Sequence, residues 1–292
     1  MYSYFTERNY KADTPYTDLA IERRRADLSI PGIEYAKENL HKSSWERIKI
    51  STKSGAESIG KPMGYYSTLN TRRMDIMDRA ELDNAKDQLS SELCVFLDRS
   101  DIFPDKILVV GLGNRQLTPD SVGWEAAKRV KPTMHIMERD KKLFDRLRCA
   151  AIAVCTPDVV AYSGMDAAVT VKGICDIIRP NAVIAIDALA ARNMERLGRT
   201  IQISNSGISP GSGLGNHSLS LSCETVGVPV ISIGVPTVID SRILCPDFCS
   251  KNGKSGQIDE PMFVCPKDIG EIVDVSADII GCAINQAFGV FG

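Results

Sequence analysis

The chain has 292 residues, 43% apolar and 25% charged, enough for a sizeable core in one large domain or two small ones. Its 35 basic against 37 acidic residues leave a net charge of −2, which argues against a nucleic-acid-binding face. No apolar run approaches a membrane span and no signal-peptide core opens the chain, so the 9 cysteines read as reduced thiols of a cytoplasmic protein.

Met1 to Tyr16 is polar and aromatic without a period and reads as a tail. Thr17-Asp-Leu-Ala-Ile-Glu22 then runs into Arg23-Arg24-Arg25. Local pattern makes Thr17 a helix N-cap, with acids early and arginines late along the dipole. Arg47 to Thr52 alternates like a half-exposed strand, and Gly60 to Thr68 is a turn entering a second one. From Asp78 to Asp98 the spacing is helical, with Leu82, Ala85, Leu89, Leu93 and Phe96 in one stripe. Asp78 and Glu81 stand at capping-box spacing.

Lys106 to Val110 is a short apolar run that suits a strand covered on both faces. Gly111 and Gly113 break it, Asn114 follows, and Thr118-Pro119-Asp120 places proline where a helix begins. Strand, glycine turn and helix start together hold Asp120 at the carboxyl edge of a sheet, where open α/β folds bind ligands. The rival is a dinucleotide site. Its fingerprint needs a third glycine where this chain has Gln116, although Glu138, ending an expected strand Thr133–Met137, could imitate the ribose acid.

Asp140 to Arg148 is expected as a charged exposed helix, and Val169 to Ile178 as a helix stopped by Arg179-Pro180. Ala182 to Ile186 is a second buried-type strand, and Asp187 ends it. Ala188 to Leu197 is rich in helix formers. Thr200–Ser204 and Val228–Val235 are strand candidates. Between them, Ser206 to Asn216 is a glycine-rich loop that lacks a phosphate-loop lysine. With Gly211 and Gly213 it could hold an extended backbone. Cys245 and Cys249 have metal-like spacing but no second pair. Ile269 to Phe288 closes the chain as an apolar-faced helix with Gly289 as its stop. Strands alternating with helices imply an α/β fold: a mainly parallel central sheet of about five or six strands, with helices on both faces.

Several stretches resemble the germination protease family of spore-forming bacteria. They are Thr17–Glu22, Gly60-Lys-Pro-x-Gly, Val110–Asn114, Thr118–Asp120, Ile184–Arg192, Ile201–Ser204, Pro210–Asn216, Gly234–Thr237 and Val264-x-Pro-Lys267. The resemblance implies a fold similar to the hydrogenase maturation endopeptidases (phosphorylase/hydrolase-like). It also implies a zymogen that cuts itself and degrades small acid-soluble spore proteins in the forespore and spore core during germination. A homotetramer and catalytic roles for Asp120 and Asp187 are implied as well. The stretch from Asp240 to Met262 is shorter than in better-known members.

Family substrates carry Thr-Glu, then the cut, then a hydrophobic residue, Ala, a small residue and Glu. Thr17–Glu22 matches with Asp18 for Glu and Ile21 at the small position. Cleavage is therefore expected between Asp18 and Leu19, leaving a propeptide of residues 1–18 and a peptidase domain of residues 19–292. An unstructured tail could thread extended into the cleft, which turns the reading of Thr17 away from a helix cap.

Two carboxylates in different protonation states can hydrolyse an amide without metal or nucleophile, because proximity and burial drive their pKa values apart. Mildly acidic conditions should favour that arrangement. His41, His135 and His217 have no partner motif, and none matches the histidine with which the hydrogenase maturation relatives bind nickel. Neither metal nor cofactor is expected. The competing class is a non-catalytic or metal-sensing peptide-binding protein on the same fold.

Overall fold

The computed structural model describes residues 16–24, 30–211, 219–244 and 262–290. Among them, nine strands form one sheet: β1 (Ile33–Asn39), β2 (Ser44–Ile50), β3 (Gly64–Asn70), β4 (Lys106–Gly111), β5 (Ala151–Cys155), β6 (Ala182–Ala191), β7 (Thr200–Ser204), β8 (Val230–Asp240) and β9 (Phe263–Val264). The order is β1-β2-β3-β7-β8-β6-β4-β5, with β9 on the far part of β8. Strands β5, β4, β6 and β8 are mutually parallel; β4 and β6 lie at the centre, as their apolar runs predict, β8 extends the expected strand Val228–Val235, and β5 was not expected. From β8 outward through β7, β3, β2 and β1 every pairing is antiparallel, so the sheet is mixed and wider than five or six strands.

Helices cover both faces. On one lie α3 (Arg79–Arg99), α4 (Val122–Arg129) and α10 (Ile269–Ala287), whose Leu89, Leu93, Phe96, Val122, Ala277 and Ile280 pack on Ile184, Ile186, Ile201 and Ile233. On the other, α8 (Ala167–Ile178) and α9 (Cys223–Val226) cover Leu108, Val110, Val183 and Ala185. Further along that second face, α1 (Ala20–Arg23) and α2 (Lys53–Ile59) bring Leu19, Ala20 and Ile59 against Ile48, Tyr66 and Leu189. The Asp78–Glu81 capping box forms in both directions and starts α3. Asp140 caps α6 (Lys141–Leu147). Gly289, at φ 71, follows α10.

Two expectations fail locally. Thr133–Met137 is not a strand: α5 (Met134–Arg139) begins there. The Thr133 hydroxyl donates to the Ala150 carbonyl at 2.5 Å and accepts from Ile152 N–H at 2.9 Å, which anchors the chain beside β5 and turns it into the helix. Ala188–Leu197 is not a helix either, because β6 continues through Ala191, which also puts Asp187 inside the strand rather than at its end. The neighbouring β8 supplies a pairing partner at each step, from Ala188 opposite Val235 to Ala191 opposite Ile239, and tertiary pairing outweighs the intrinsic preference of alanine. Only the turn Met194–Arg196 is helical, as one 3-10 turn.

The seven described cysteines form no disulfide; Cys245 and Cys249 lie outside the described residues, as do Gly213, Asn216 and His217. Among the described residues no helix is long and apolar enough to cross a membrane.

Candidate active site

The site begins where β4 ends. Gly111 has no side chain because a Cβ there would stand 2.3 Å from the Gly123 carbonyl and 2.7 Å from the Ala127 Cβ, so α4 packs directly on the strand end. Gly113 sits at φ 94, and a Cβ would lie 2.0 Å from the Asp120 carbonyl oxygen. These glycines let the loop fold back on the 3-10 turn Thr118–Asp120. The Asn114 N–H then donates to the Asp120 carboxylate at 2.8 Å. Gly111, Gly113 and Asn114 thus shape the Asp120 turn. Gly211, at φ 65, lies in the turn beyond β7, just before residues outside the described set.

Asp187, only 2% exposed, stands on β6 immediately after Ile186, whose carbonyl still accepts from Leu112 N–H. Burial pushes its carboxyl well above the ordinary range, and the neighbouring Asp120 and Asp18 charges push it further. The Ala188 N–H at 2.9 Å opposes this in part. Asp120 is raised to about 6 by burial, against the pull of Asn114 N–H. Two carboxyls in one neighbourhood are therefore pushed up unequally. Burial is the first cause at both carboxyls, and the charge of Asp120 adds to it at Asp187.

Residues 16–24 are the part that local sequence reasoning misplaced. They form neither a free tail nor a helix capped by Thr17: α1 is a single turn with Leu19 at its N-cap position. Thr17, Asp18, Leu19 and Ala20 are all buried. Beyond Gly111, β4 no longer covers the edge of β6, and Asp18 occupies that edge. Its N–H donates to the Ala190 carbonyl at 2.8 Å, and Ala190 N–H donates back to its carboxylate at 2.9 Å. Tyr16 hydroxyl donates to the same carboxylate at 2.6 Å. An extended segment added to a free strand edge is a common way to hold a peptide.

Four residues on, Glu22 is gripped as firmly. Its carboxylate accepts from Arg192 N–H at 2.6 Å, from Asn193 N–H at 2.8 Å and from the Thr17 hydroxyl, with Arg196 Nε at 3.7 Å. The Thr17 carbonyl accepts twice from the Arg23 guanidinium, at 3.0 and 2.8 Å. Lys61 stands close enough to Asp18 to feel its charge, while burial pulls its ammonium down to about 8. The Ala190, Arg192 and Asn193 contacts are largely main-chain and could not be read from residue type. A local signal does exist for Gln202, a buried amide between two isoleucines of β7.

Among the described residues no group of three or more His, Cys, Asp or Glu is arranged to hold a metal ion.

Comparison with known proteins gives this geometry a class. The model of the family described as germination protease matches residues 16–250, a span that opens on the buried segment and includes both acids. The germination protease of Caldanaerobacter subterraneus subsp. tengcongensis is 40% identical over 239 residues, 79% of this chain and 71% of that one. That of Clostridium perfringens is 31% identical across 93% of this chain and 94% of its own, and that of Priestia megaterium 36% across 79% and 67%. A [NiFe] hydrogenase maturation protease from Thermococcus kodakarensis aligns over 64% of this chain and 99% of its own, at TM-score 0.34 and 18% identity. That likeness is too distant to transfer any residue's role. The protein is an endopeptidase, which sets aside a non-catalytic binding role. It belongs to the germination protease family.

Proposed function

We propose that this endopeptidase hydrolyses peptide bonds with Asp120 and Asp187, and that its first substrate is its own Asp18–Leu19 bond. The observation that carries the reading is the seat of Asp18, paired to Ala190 on the open edge of β6 and close enough to Asp187 to raise its pKa. Asp120, which ionises near 6, takes a proton from water. The water oxygen adds to the Asp18 carbonyl carbon, and Asp187 supplies the proton that lets the carbon–nitrogen bond to Leu19 break. The products are a new carboxyl at Asp18 and a new amine at Leu19. Residues 1–18 are then the propeptide and residues 19–292 the peptidase.

The mature enzyme acts on small acid-soluble spore proteins in the spore core, as a homotetramer. The two ends of the seated segment support this reading, because the acids at Asp18 and Glu22 each have a dedicated set of donors. An acid before the cut and a second acid four residues later are what such a surface selects. Native mass measurement is expected to give four chains per particle; a monomer active on these substrates would remove the assembly from the account.

The test is N-terminal sequencing of the full chain after incubation. The expected rate is bell-shaped in pH. It falls below about 6, where Asp120 takes up a proton, and falls again as pH rises through the raised pKa of Asp187. A new terminus at Leu19 in the wild-type chain, absent from Asp187→Asn, supports self-cleavage; the same terminus in the variant assigns the cut to another protease. EDTA is expected to leave the rate unchanged, and a loss restored by added metal would replace the acid pair with metal chemistry.

A further inference from the structure

Gln202 is a polar side chain inside an apolar strand, only 8% exposed, and the Asp120–Asp187 chemistry does not use it. Its position is fixed by register. Gln202 of β7 lies opposite Gly234 of β8, and Gly234 lies opposite Asp187 of β6. Directly paired residues project to the same face of a sheet, so Gln202 and Asp187 flank a position that has no side chain. The Leu189 side chain fills the space a Cβ at Gly234 would take.

The carboxamide of Gln202 spans the bond expected to break. Its Oε1 accepts from Ala20 N–H at 2.8 Å, and its Nε2 donates to the Asp18 carbonyl at 3.4 Å. The orientation follows from chemistry. Ala20 N–H can only donate, so the amide oxygen faces it and the NH2 group faces Asp18. The second contact is long for a hydrogen bond to a ground-state carbonyl. A donor placed there gains strength when the carbonyl carbon turns tetrahedral and its oxygen takes on negative charge.

Resting on the reading of Asp18–Leu19 as the bond that is cut, we infer that Gln202 holds that peptide on both sides and donates to the oxyanion that forms on Asp18. Its oxygen fixes the register of the leaving strand through Ala20. Its NH2 group stabilises the charge that develops during attack. The same side chain would meet the equivalent carbonyl and amide of any peptide seated along β6.

The test compares self-cleavage rates of the full wild-type chain with Gln202→Met and Gln202→Glu from pH 5 to 8. Thermal melting is measured on each. Methionine keeps the volume and removes both polar contacts, so the rate is expected to drop about 100-fold at every pH. Glutamate keeps the acceptor for Ala20 but has no donor while ionised. Protonation gives it an O–H donor, so its deficit relative to wild type is expected to shrink as the pH falls. A purely structural role would not produce that pH-dependent rescue.

Gln202→Met cutting within twofold of wild type overturns the inference and leaves the self-cleavage reading standing. A wild-type chain that never yields a Leu19 terminus overturns both. Should Gln202→Met not fold, Gln202→Glu decides: a deficit constant from pH 5 to 8 overturns the donor role.

Discussion

Replacing Asp187 with asparagine is expected to reduce hydrolysis by about 1000-fold or more while making the folded chain more stable at neutral pH. The kinetic loss follows from removing a proton donor from an acid–base pair, an effect usually worth ~100- to 10,000-fold. The gain in stability follows from the sign of the pKa shift. An aspartic acid near 3.8 in the unfolded chain is raised in the folded one by burial first and by Asp120 second. Folding therefore takes up a proton, and stability declines as pH rises from the unfolded value toward the folded one. Asparagine carries no such cost, so its melting temperature should exceed wild type increasingly with pH. Asp120→Asn should behave alike over the narrower range from about 4 to about 6. Either variant keeping more than a tenth of wild-type kcat with normal folding would remove that acid from the mechanism.

Gly113→Ala is expected to damage the site without touching an acid. At φ 94 an alanine pays for left-handed backbone, and its Cβ would stand 2.0 Å from the Asp120 carbonyl oxygen. The obstacle is main chain, so it cannot rotate away, and the Asp120 turn must move by more than about 1 Å to reach ordinary contact. Displacement on that scale costs on the order of 100-fold in rate. Strain and lost packing together should lower stability by roughly 3 kcal/mol. Hydrolysis and thermal melting read the two effects separately. An alanine variant with kcat within threefold of wild type would show that the turn does not position Asp120.

The parts of this molecule that were legible in the sequence are those whose local pattern and tertiary role agree. Strand β4 and the first half of β6 are unbroken apolar runs because helices cover both faces. The β4 ladder stops at Gly111, whereas β6 runs on past Asp187 to Ala191, so the acid that reads as a strand end stands inside the strand. The capping box and stripe of α3 are likewise local. Strand β1 was illegible because all but one of its residues are exposed, so it carries no apolar alternation. Strand β5, Ala-Ile-Ala-Val-Cys, is too short and alanine-rich to stand out.

The site shows the same division. Asp120 stands out in the glycine turn after β4, and Asp187 stands out as an acid in an apolar run, although β6 continues beyond it to Ala191. The seat for Asp18 depends on Ala190, 172 residues away, and on a strand edge left open by the length of its neighbour. No window of sequence contains that. Glu22 could be recognised as an acid at the right spacing, but its donors are main-chain N–H groups of Arg192 and Asn193, which residue type does not encode.

The central claim is that each chain carries its own Asp18–Leu19 bond in its own site. The most direct measurement mixes active wild-type chain with a mass-tagged Asp187→Asn chain and follows both termini over a hundredfold range of concentration. The account predicts that wild type acquires the Leu19 terminus at a first-order rate independent of concentration, while the tagged variant stays intact. A tagged variant cut at Asp18–Leu19, at a rate that rises with wild-type concentration, would contradict it.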